Sequence, residues 1–437
     1  MSNKIHFIGI GGIGLSALAR FLKKNGYDVS GSDAKESPLT RSLKDEGIIV
    51  NTPQSASNIT DQDIVIYSAA VSKENIEYIE AKKRKMLLLS RKDALPFILK
   101  GKKLFAVAGA HGKSTTSAML ASVVEGSVII GAESKQFNSN MHFVESDNLI
   151  FEADESDASF LNTNPSVALV TNAEPEHMEF YDYDLDKFFD AYRTFLQKAK
   201  VRVINAEDEF LSTLTNLEAI RLYPSSDIKN IKTIIIDNEP FTSFILKDLG
   251  TFEVFGVGEH IAINASLTIL AAMTQNPLEE VRENLKNYKG IKKRFDILEK
   301  DSRCVIIDDY AHHPTEIEVT IKSARKYAKL LGLKKVVAIW QPHKYSRTID
   351  NLDKFKECFA GIDELIILPV FSVGEEKQEI DFEKHFKVYK PLFADALLKK
   401  DGHLHIIKDQ QSIQDLSEGL IIGLGAGDIT YQLRGQY

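Results

Sequence analysis

Long apolar runs are missing from this sequence. No stretch approaches the roughly 18–20 consecutive apolar residues that a membrane-crossing helix needs, so no membrane partner is expected. The N-terminus runs almost directly into a strand pattern at Lys4-Ile5-His6-Phe7-Ile8. A secretory leader would set an apolar core and a cleavage site ahead of it, so the expected compartment is the cytoplasm. Cysteine is also scarce. Cys304 and Cys358 are the two in the chain, and neither lies in a metal-type or redox-type pair. They suit a reducing compartment and are expected to pack as small apolar residues. An excess of positive charge is absent too: 54 Lys and Arg against 62 Asp and Glu leave a net −8. That argues against nucleic acid as a general partner. Small phosphorylated ligands stay open, because local loops hold them.

What is present is an ordinary globular balance of 43% apolar and 27% charged residues, over 437 residues, too many for one core. Short apolar strands alternate with helices, the pattern of parallel β-α-β units. Residues 4–8 read as a buried strand entering a glycine turn and then a helix over about 13–24, with later strands at 27–30 and 63–67. A second start lies at 104–108, followed by strands at 149–151 and 167–170. A third series, after Arg294-Phe295-Asp296, has strands at 305–307, 336–339, 364–368, 405–407 and 420–422. The expected fold is α/β in three domains: a Rossmann-like N-terminal domain over 1–97, a central P-loop ATPase-like domain over 98–296, and a C-terminal Rossmann-like domain over 297–437. Between about 225 and 258 only short strands can be placed, and a loop-rich insertion or sheet edge is expected.

The strongest motif is Gly109-Ala110-His111-Gly112-Lys113-Ser114-Thr115, directly after a strand. A glycine turn feeding a helix presents N–H groups and the positive end of the helix dipole to phosphate oxygens. Lys113 would reach the terminal phosphates and Ser114 would offer its hydroxyl to Mg2+. The loop is shortened, with Val107 where the common pattern has its first glycine. An ordinary strand-to-helix turn is the plain alternative. Gly9-Ile10-Gly11-Gly12-Ile13-Gly14, with Asp33 after the next strand, has dinucleotide-fingerprint spacing and puts an acid near a ribose hydroxyl. Alone it denotes a diphosphate or nucleotide, with a purely structural turn the plain alternative, and it leaves a nicotinamide cofactor open.

The acidic run Glu152-Ala153-Asp154-Glu155-Ser156-Asp157 follows a strand beside the phosphate loop, where the Mg2+ of bound ATP is held. Most of these acids must be solvated or capping, so one or two ligands are expected. Thr171-Asn172-Ala173-Glu174-Pro175-Glu176-His177 ends another strand. His177 reads either as a structural histidine or as a site residue sharing that sheet edge with Lys113 and Glu155. In the third domain, Asp308-Asp309-Tyr310-Ala311-His312-His313-Pro314-Thr315-Glu316, Gln341-Pro342-His343-Lys344-Tyr345-Ser346-Arg347-Thr348 and Gly423-Leu424-Gly425-Ala426-Gly427-Asp428 each close a strand. Thr315 and Glu316 equally suit a helix start after Pro314. Lys344 and Arg347 suit either a carboxylate or phosphate clamp or a solvated pair.

Taken in order, these motifs resemble those of the Mur ligase family over all three domains. Residues 9–14 look like its UDP-binding turn, and 109–115 like its ATP loop. EADESDASFL at 152–161 and 172–177 look like its acidic and metal-histidine motifs. DDYAHHPTE at 308–316 and QPHKYSRT at 341–348 resemble most the member that joins L-alanine to UDP-N-acetylmuramate. The resemblance implies ATP-driven amide-bond formation through an acyl phosphate, with ATP and Mg2+, in peptidoglycan precursor synthesis, by a monomer or weak dimer. By position it implies that Gly11, Gly12, Ile13, Gly14, Asp33 and Ser68 meet the UDP-sugar, and that Asn264, Arg294 and Asp309 meet the nucleotide held by the 109–115 loop. Ser114, Glu155 and His177 would hold metal, with Glu152 the rival of Glu155. His343, Lys344 and Arg347 would meet the amino-acid and sugar carboxylates, Asp308 to His313 would line the nucleotide with His312 also meeting substrate, and Lys113, Glu155, His177 and Arg347 would serve catalysis.

Some positions depart from the family pattern. Ala110 and Ser114 replace threonines, Lys344 replaces an arginine and so offers a point charge instead of a fork, and Ile261 replaces an asparagine. Tyr192 and Arg193 occupy the region of the modified lysine of some sister ligases, so that modification is not expected. A nicotinamide oxidoreductase would rest on 9–14 and Asp33 alone, and a non-catalytic nucleotide-binding module would bind ATP without turnover. A sister ligase that attaches a preformed peptide is the remaining alternative.

Overall fold

β1 (Lys4–Ile8), β2 (Asp28–Ser32), β3 (Ile49–Asn51), β4 (Ile64–Tyr67) and β5 (Leu87–Ser90) form a parallel sheet in the order β3-β2-β1-β4-β5. Ile5, Phe7 and Ile8 are fully buried, as expected of a parallel strand covered on both faces. The helix Ile13–Lys24 buries Leu15, Leu18, Phe21 and Leu22, spaced three and four apart on one stripe. Because the chain leaves β1 first on one side and later crosses to β4, a crevice opens at the C-terminal ends of these two strands. Gly9 and Ser68 follow them directly.

In this computed structural model, which describes residues 3–436, the second sheet holds β6 (Lys103–Ala108), β7 (Ser127–Ser134), β8 (Ser139–His142), β9 (Asn148–Glu152), β10 (Val167–Val170), β11 (Val201–Asn205) and β12 (Ile220–Leu222). Their order is β12-β11-β10-β6-β9-β7-β8, parallel apart from the β7/β8 hairpin. β6 thus lies between β9 and β10, so the 109–115 loop, the acidic run and the 171–177 segment all leave one edge. One buried apolar cluster runs through both sheets, from Phe7 and Leu18 to Phe151, Phe160 and Phe195. These sheets belong to one compact unit of residues 1–229, 245–252 and 263–289.

The second unit comprises residues 230–244, 253–262 and 290–437. Residues 228–255 are more regular than the sequence reading allowed. They contain β13 (Ile228–Ile236), β14 (Glu239–Leu246) and β15 (Thr251–Phe255), a sheet of three strands. In β14 the buried positions are Pro240, Thr242, Phe244 and Leu246. This is a strict two-residue alternation hidden by a proline and a threonine on the inner face. Asp237 and Asn238 both have positive φ, 49° and 65°, which suits a two-residue hairpin turn.

β16 (Asp296–Lys300), β17 (Cys304–Asp309), β18 (Val336–Trp340), β19 (Glu364–Ile367), β20 (Leu392–Phe393) and β24 (Gly419–Leu424) form the main sheet of this unit. The order is β16-β17-β24-β18-β19-β20, with β16 antiparallel to β17. The strand expected at 405–407 does not join it. It is β22 (His403–Lys408), paired antiparallel between β21 (Ala396–Lys400) and β23 (Gln411–Leu416) in a separate sheet. Burial explains the difference: β22 hides only Leu404 and Ile406, whereas β24 is buried at all positions. Cys304 and Cys358 are buried as expected.

Trp340, the chain's single tryptophan, is fully buried. Its ring centroid lies 4.9, 5.1 and 5.3 Å from those of Phe355, Phe359 and Phe386. Trp340→Ala is expected to lower stability by ~3–5 kcal/mol, read as an earlier urea midpoint by circular dichroism.

Candidate active site

The first glycine turn is braced from within. Gly9 and Ile10 donate their N–H groups to the Ser32 carbonyl at 2.8 and 3.0 Å, and Gly12 donates to Gly9 at 3.2 Å. Gly11 donates to Asp33 Oδ2 at 2.8 Å, so one oxygen of the acid expected at a ribose fastens the turn itself. Ser68 lies against Gly9. Arg91, which the sequence reading missed, crosses from this turn to the acidic run. Its Nη1 is 2.9 Å from where a Cβ on Gly14 would stand, and its Nη2 donates to Asp154 at 3.3 Å and Ser159 at 3.2 Å. Arg91 follows β5 directly, and that strand-end position is the signal by which it could have been found.

The 109–115 loop is held by the end of β10. Asn172 accepts from His111 N–H and donates back to its carbonyl, each at 3.0 Å, while Thr171 Oγ1 donates to the same carbonyl at 2.6 Å. Gly109 has φ +137°, and a Cβ there would stand 2.1 Å from Thr171 Oγ1. Gly112 precedes the helix Lys113–Val123 with φ 81°, a left-handed conformation suited to glycine. Asn264 packs on Gly112, within 2.9 Å of where a Cβ would lie. His111 Nε2 pairs with Glu174 at 3.2 Å.

Lys113 Nζ donates to the carbonyls of Gly109 and Ala110 and pairs with Glu155 Oε1 at 2.8 Å. Burial works against its charge, but Glu155, Glu152 and Asp154 outweigh it and hold its pKa above the usual lysine value. Burial draws the Glu155 carboxyl upward, opposed by Lys113. Ser114 Oγ donates to Glu152 Oε1 at 3.1 Å, and Gly131 N–H to Glu152 Oε2 at 2.8 Å. The two rival acids therefore divide: Glu152 sits on the serine and Glu155 on the lysine. Glu155 Oε2 is buried without a hydrogen-bond partner. His177 is half exposed, with Nδ1 3.7 Å from Glu179. Among the described residues, no three His, Cys, Asp or Glu side chains gather as a ready metal site.

In the second unit, Asp309 accepts from Phe295 N–H at 2.7 Å and Ala311 N–H at 2.8 Å. Burial, partly offset by Arg294, raises its carboxyl to about 6. Arg294 bonds Glu316 at 3.3 Å and lies 5.3 Å from the Tyr310 ring centroid. Glu316 also accepts the N–H groups of His312 and His313, at 3.0 and 3.3 Å, which is the capping role considered for it. His343 Nδ1 accepts from Arg347 Nη1 at 2.8 Å. Its ring stacks on Phe371 with centroids 5.8 Å apart and stands edge-on to His312 at 5.8 Å. Lys344 has φ 68° and donates its N–H to Phe371. The three strand ends thus supply one cluster. Arg434 was not singled out from sequence. It ties Asp296 at 2.6 Å to Asp308 at 2.8 Å beneath this cluster.

Two outcomes follow. Gly109→Ala is expected to weaken binding of a non-hydrolysable ATP analogue at least about tenfold by calorimetry, since steric overlap and a strained φ act together. Burial and the adjacent Arg347 push His343 down to about 4 from 6.5. The folded state prefers neutral imidazole, so this contribution to stability is full above about pH 6.5 and disappears as pH falls through about 4. Proton NMR of His343 should titrate near that lower value; a midpoint near 6.5 would show that burial and the neighbouring Arg347 charge do not act on it.

Descriptions of the Mur ligase family match along the chain: its catalytic domain at residues 4–103, its middle domain at 107–272 and its glutamate ligase domain at 293–418. The chain is 60% identical over 435 residues to a UDP-N-acetylmuramate–L-alanine ligase of Campylobacter curvus, covering 99% of this chain and 100% of that one. It is 53% identical over 436 residues to the protein of the same name from Helicobacter pylori strain P12, covering 99% and 96%. Among solved structures, the UDP-N-acetylmuramate-alanine ligase MurC of Thermotoga maritima superposes with a TM-score of 0.81 at 28% identity, covering 99% of this chain and 98% of that one. A murein peptide ligase of Psychrobacter arcticus shares the fold, with a TM-score of 0.64 at 19% identity over 98% and 96% of the two chains. Matched along three successive domains and over almost its whole length, the chain belongs to the Mur ligase family.

Proposed function

We propose that the chain joins L-alanine to the lactyl carboxyl of UDP-N-acetylmuramate at the expense of ATP, in peptidoglycan precursor synthesis. The observation that carries this reading is the pairing of Lys113 with Glu155 and of Ser114 with Glu152 at adjoining strand ends. It supplies a cation for a terminal phosphate beside carboxylates for a metal. In the first step a lactyl carboxylate oxygen attacks the γ-phosphorus, and the bond to the β-γ bridging oxygen breaks. ADP leaves and an acyl phosphate forms. In the second, the alanine amine attacks the acyl carbon, phosphate departs with the C–O electron pair, and the amine loses a proton. Carboxylate oxygen is a poor leaving group and phosphate a good one, so the phosphorylation makes the substitution feasible.

The side chains divide this work. The domains are taken as 1–97, 98–296 and 297–437. In the first, Gly11, Gly12, Ile13, Gly14, Asp33 and Ser68 hold the UDP-sugar. In the second, N–H groups of Gly112, Lys113, Ser114 and Thr115 cradle the phosphates, and Lys113 neutralises charge on the transferred phosphoryl. Asn264, Arg294 and Asp309 meet the nucleotide. His312, His343, Lys344 and Arg347 meet the two carboxylates. Ser114 with Glu152 or Glu155 would hold Mg2+, and His177 a second ion or its water. The unpartnered buried oxygen of Glu155 and the serine hydroxyl on Glu152 fit a hard cation. Mg2+ bound there would supply charge neutralisation at the phosphates. The compartment is taken as the cytoplasm and the assembly as a monomer or weak dimer.

Phosphate release is expected only when UDP-N-acetylmuramate, L-alanine and ATP are all present; release with ATP alone would refute the reading. Lys113→Ala is expected to lower kcat at least about a hundredfold and to leave UDP-sugar affinity within about twofold, because the two phosphate sites occupy different loops.

A further inference from the structure

The side chain of Asn140 is fully buried on β8, the edge strand of the second sheet, and reaches out of that sheet. Its Nδ2 donates to the carbonyl of Ile13 at 2.6 Å and to Ser16 Oγ at 2.9 Å. Its Oδ1 accepts from Arg20 Nη1 at 2.5 Å. The remaining guanidinium edge of Arg20 is bound by Glu46, at 2.8 Å through Nε and 2.6 Å through Nη2, and by Ser42 at 3.0 Å. Arg20 is only 5% exposed. A buried amide with both ends satisfied has a single orientation, since a flipped amide would face the Ile13 carbonyl with its own oxygen.

The consequence lies in the peptide unit between residues 13 and 14. That unit is planar and trans, so its C=O and N–H point in opposite directions. Fixing the Ile13 carbonyl therefore aims the Gly14 N–H the other way, toward the open N-terminal end of the helix. There N–H groups lack intrahelical acceptors and take up phosphate oxygens. Ser16 Oγ also donates to the Ile13 carbonyl, at 2.9 Å, so Asn140 and Ser16 hold one carbonyl together.

We infer that Asn140, backed by Arg20, is a positioning residue of the UDP-sugar site, aiming the Gly14 N–H at the diphosphate from a strand of the ATP-binding sheet. This rests on the reading of residues 9–14 as the UDP-sugar turn. Asn140 does not touch the ligand. It acts through the Ile13 carbonyl.

The test is calorimetric, on the full chain, with UDP-N-acetylmuramate and separately with a non-hydrolysable ATP analogue and Mg2+. Asn140→Ala is expected to weaken the sugar nucleotide about tenfold and the ATP analogue less than about twofold. KM for the UDP-sugar should rise more than kcat falls. Asn140→Asp keeps the acceptor for Arg20 but sets a carboxylate against the Ile13 carbonyl, and should weaken the UDP-sugar at least as much. If Asn140→Ala does not fold, Ser16→Ala decides: it removes one of the two groups on the same carbonyl and should show a smaller loss of the same selectivity. A folded Asn140→Ala, or in its place Ser16→Ala, with wild-type affinity for the sugar nucleotide, or with both ligands weakened equally, overturns the inference. Wild-type protein that fails to bind the sugar nucleotide overturns the functional reading first, and the inference with it.

Discussion

A buried ammonium at the head of a helix has to be balanced, and in this protein Glu155 balances Lys113. The loop around the lysine is braced by Asn172 and Thr171, which hold His111 from the neighbouring strand, while Gly109 and Gly112 adopt backbone conformations that admit close contacts. Removing Lys113 would leave the buried Glu155 carboxylate beside other acids without its cation, which is costly. Glu152 plays the quieter part, bridging Ser114 to the Gly131 N–H of the next strand.

The same constraint shapes the sheets. Parallel strands send the loops that follow them to one edge, and in each main sheet a strand flanked on both sides contributes one of the motif loops. β1 ends in the first glycine turn, β6 in the phosphate loop and β17 in the 308–316 run. In the second unit the last strand, β24, inserts between β17 and β18, which brings the Gln341 and Asp428 side chains within hydrogen-bond distance at 2.5 Å. Residues nearly ninety apart in the chain thereby become one wall of the cluster.

Much of this was legible beforehand. The two glycine turns announce themselves because each follows a mostly apolar strand, and Gly9, Gly109 and Gly112 take positive φ. The strand at 405–407 was visible but was assigned to the wrong sheet, since alternation in β22 covers too few positions to separate one-faced from two-faced burial. The 228–255 sheet was hidden because its inner face carries Pro240 and Thr242, and its turn uses Asp-Asn in place of a glycine pair. Arg91 left only its place at a strand end, and Asn140 and Arg434 left no mark at all. Their partners Asp154, Ile13 and Asp308 lie 63, 127 and 126 residues away, and a lone polar residue does not reveal what it will meet.

By itself, the sequence determined the local chemistry: which turns can approach a phosphate, which strand ends carry acid, amide and base, and that three α/β series follow one another. These are short-range consequences of backbone sterics and of apolar periodicity. Tertiary structure alone decided how the charges pair, with Glu155 on the lysine and Glu152 on the serine. It also decided that Asp33 spends one oxygen on its own turn, and that an amide from the second sheet sets a carbonyl of the first. Those outcomes depend on strand order and on distances across folded layers, for which neighbouring residues in the chain carry no record.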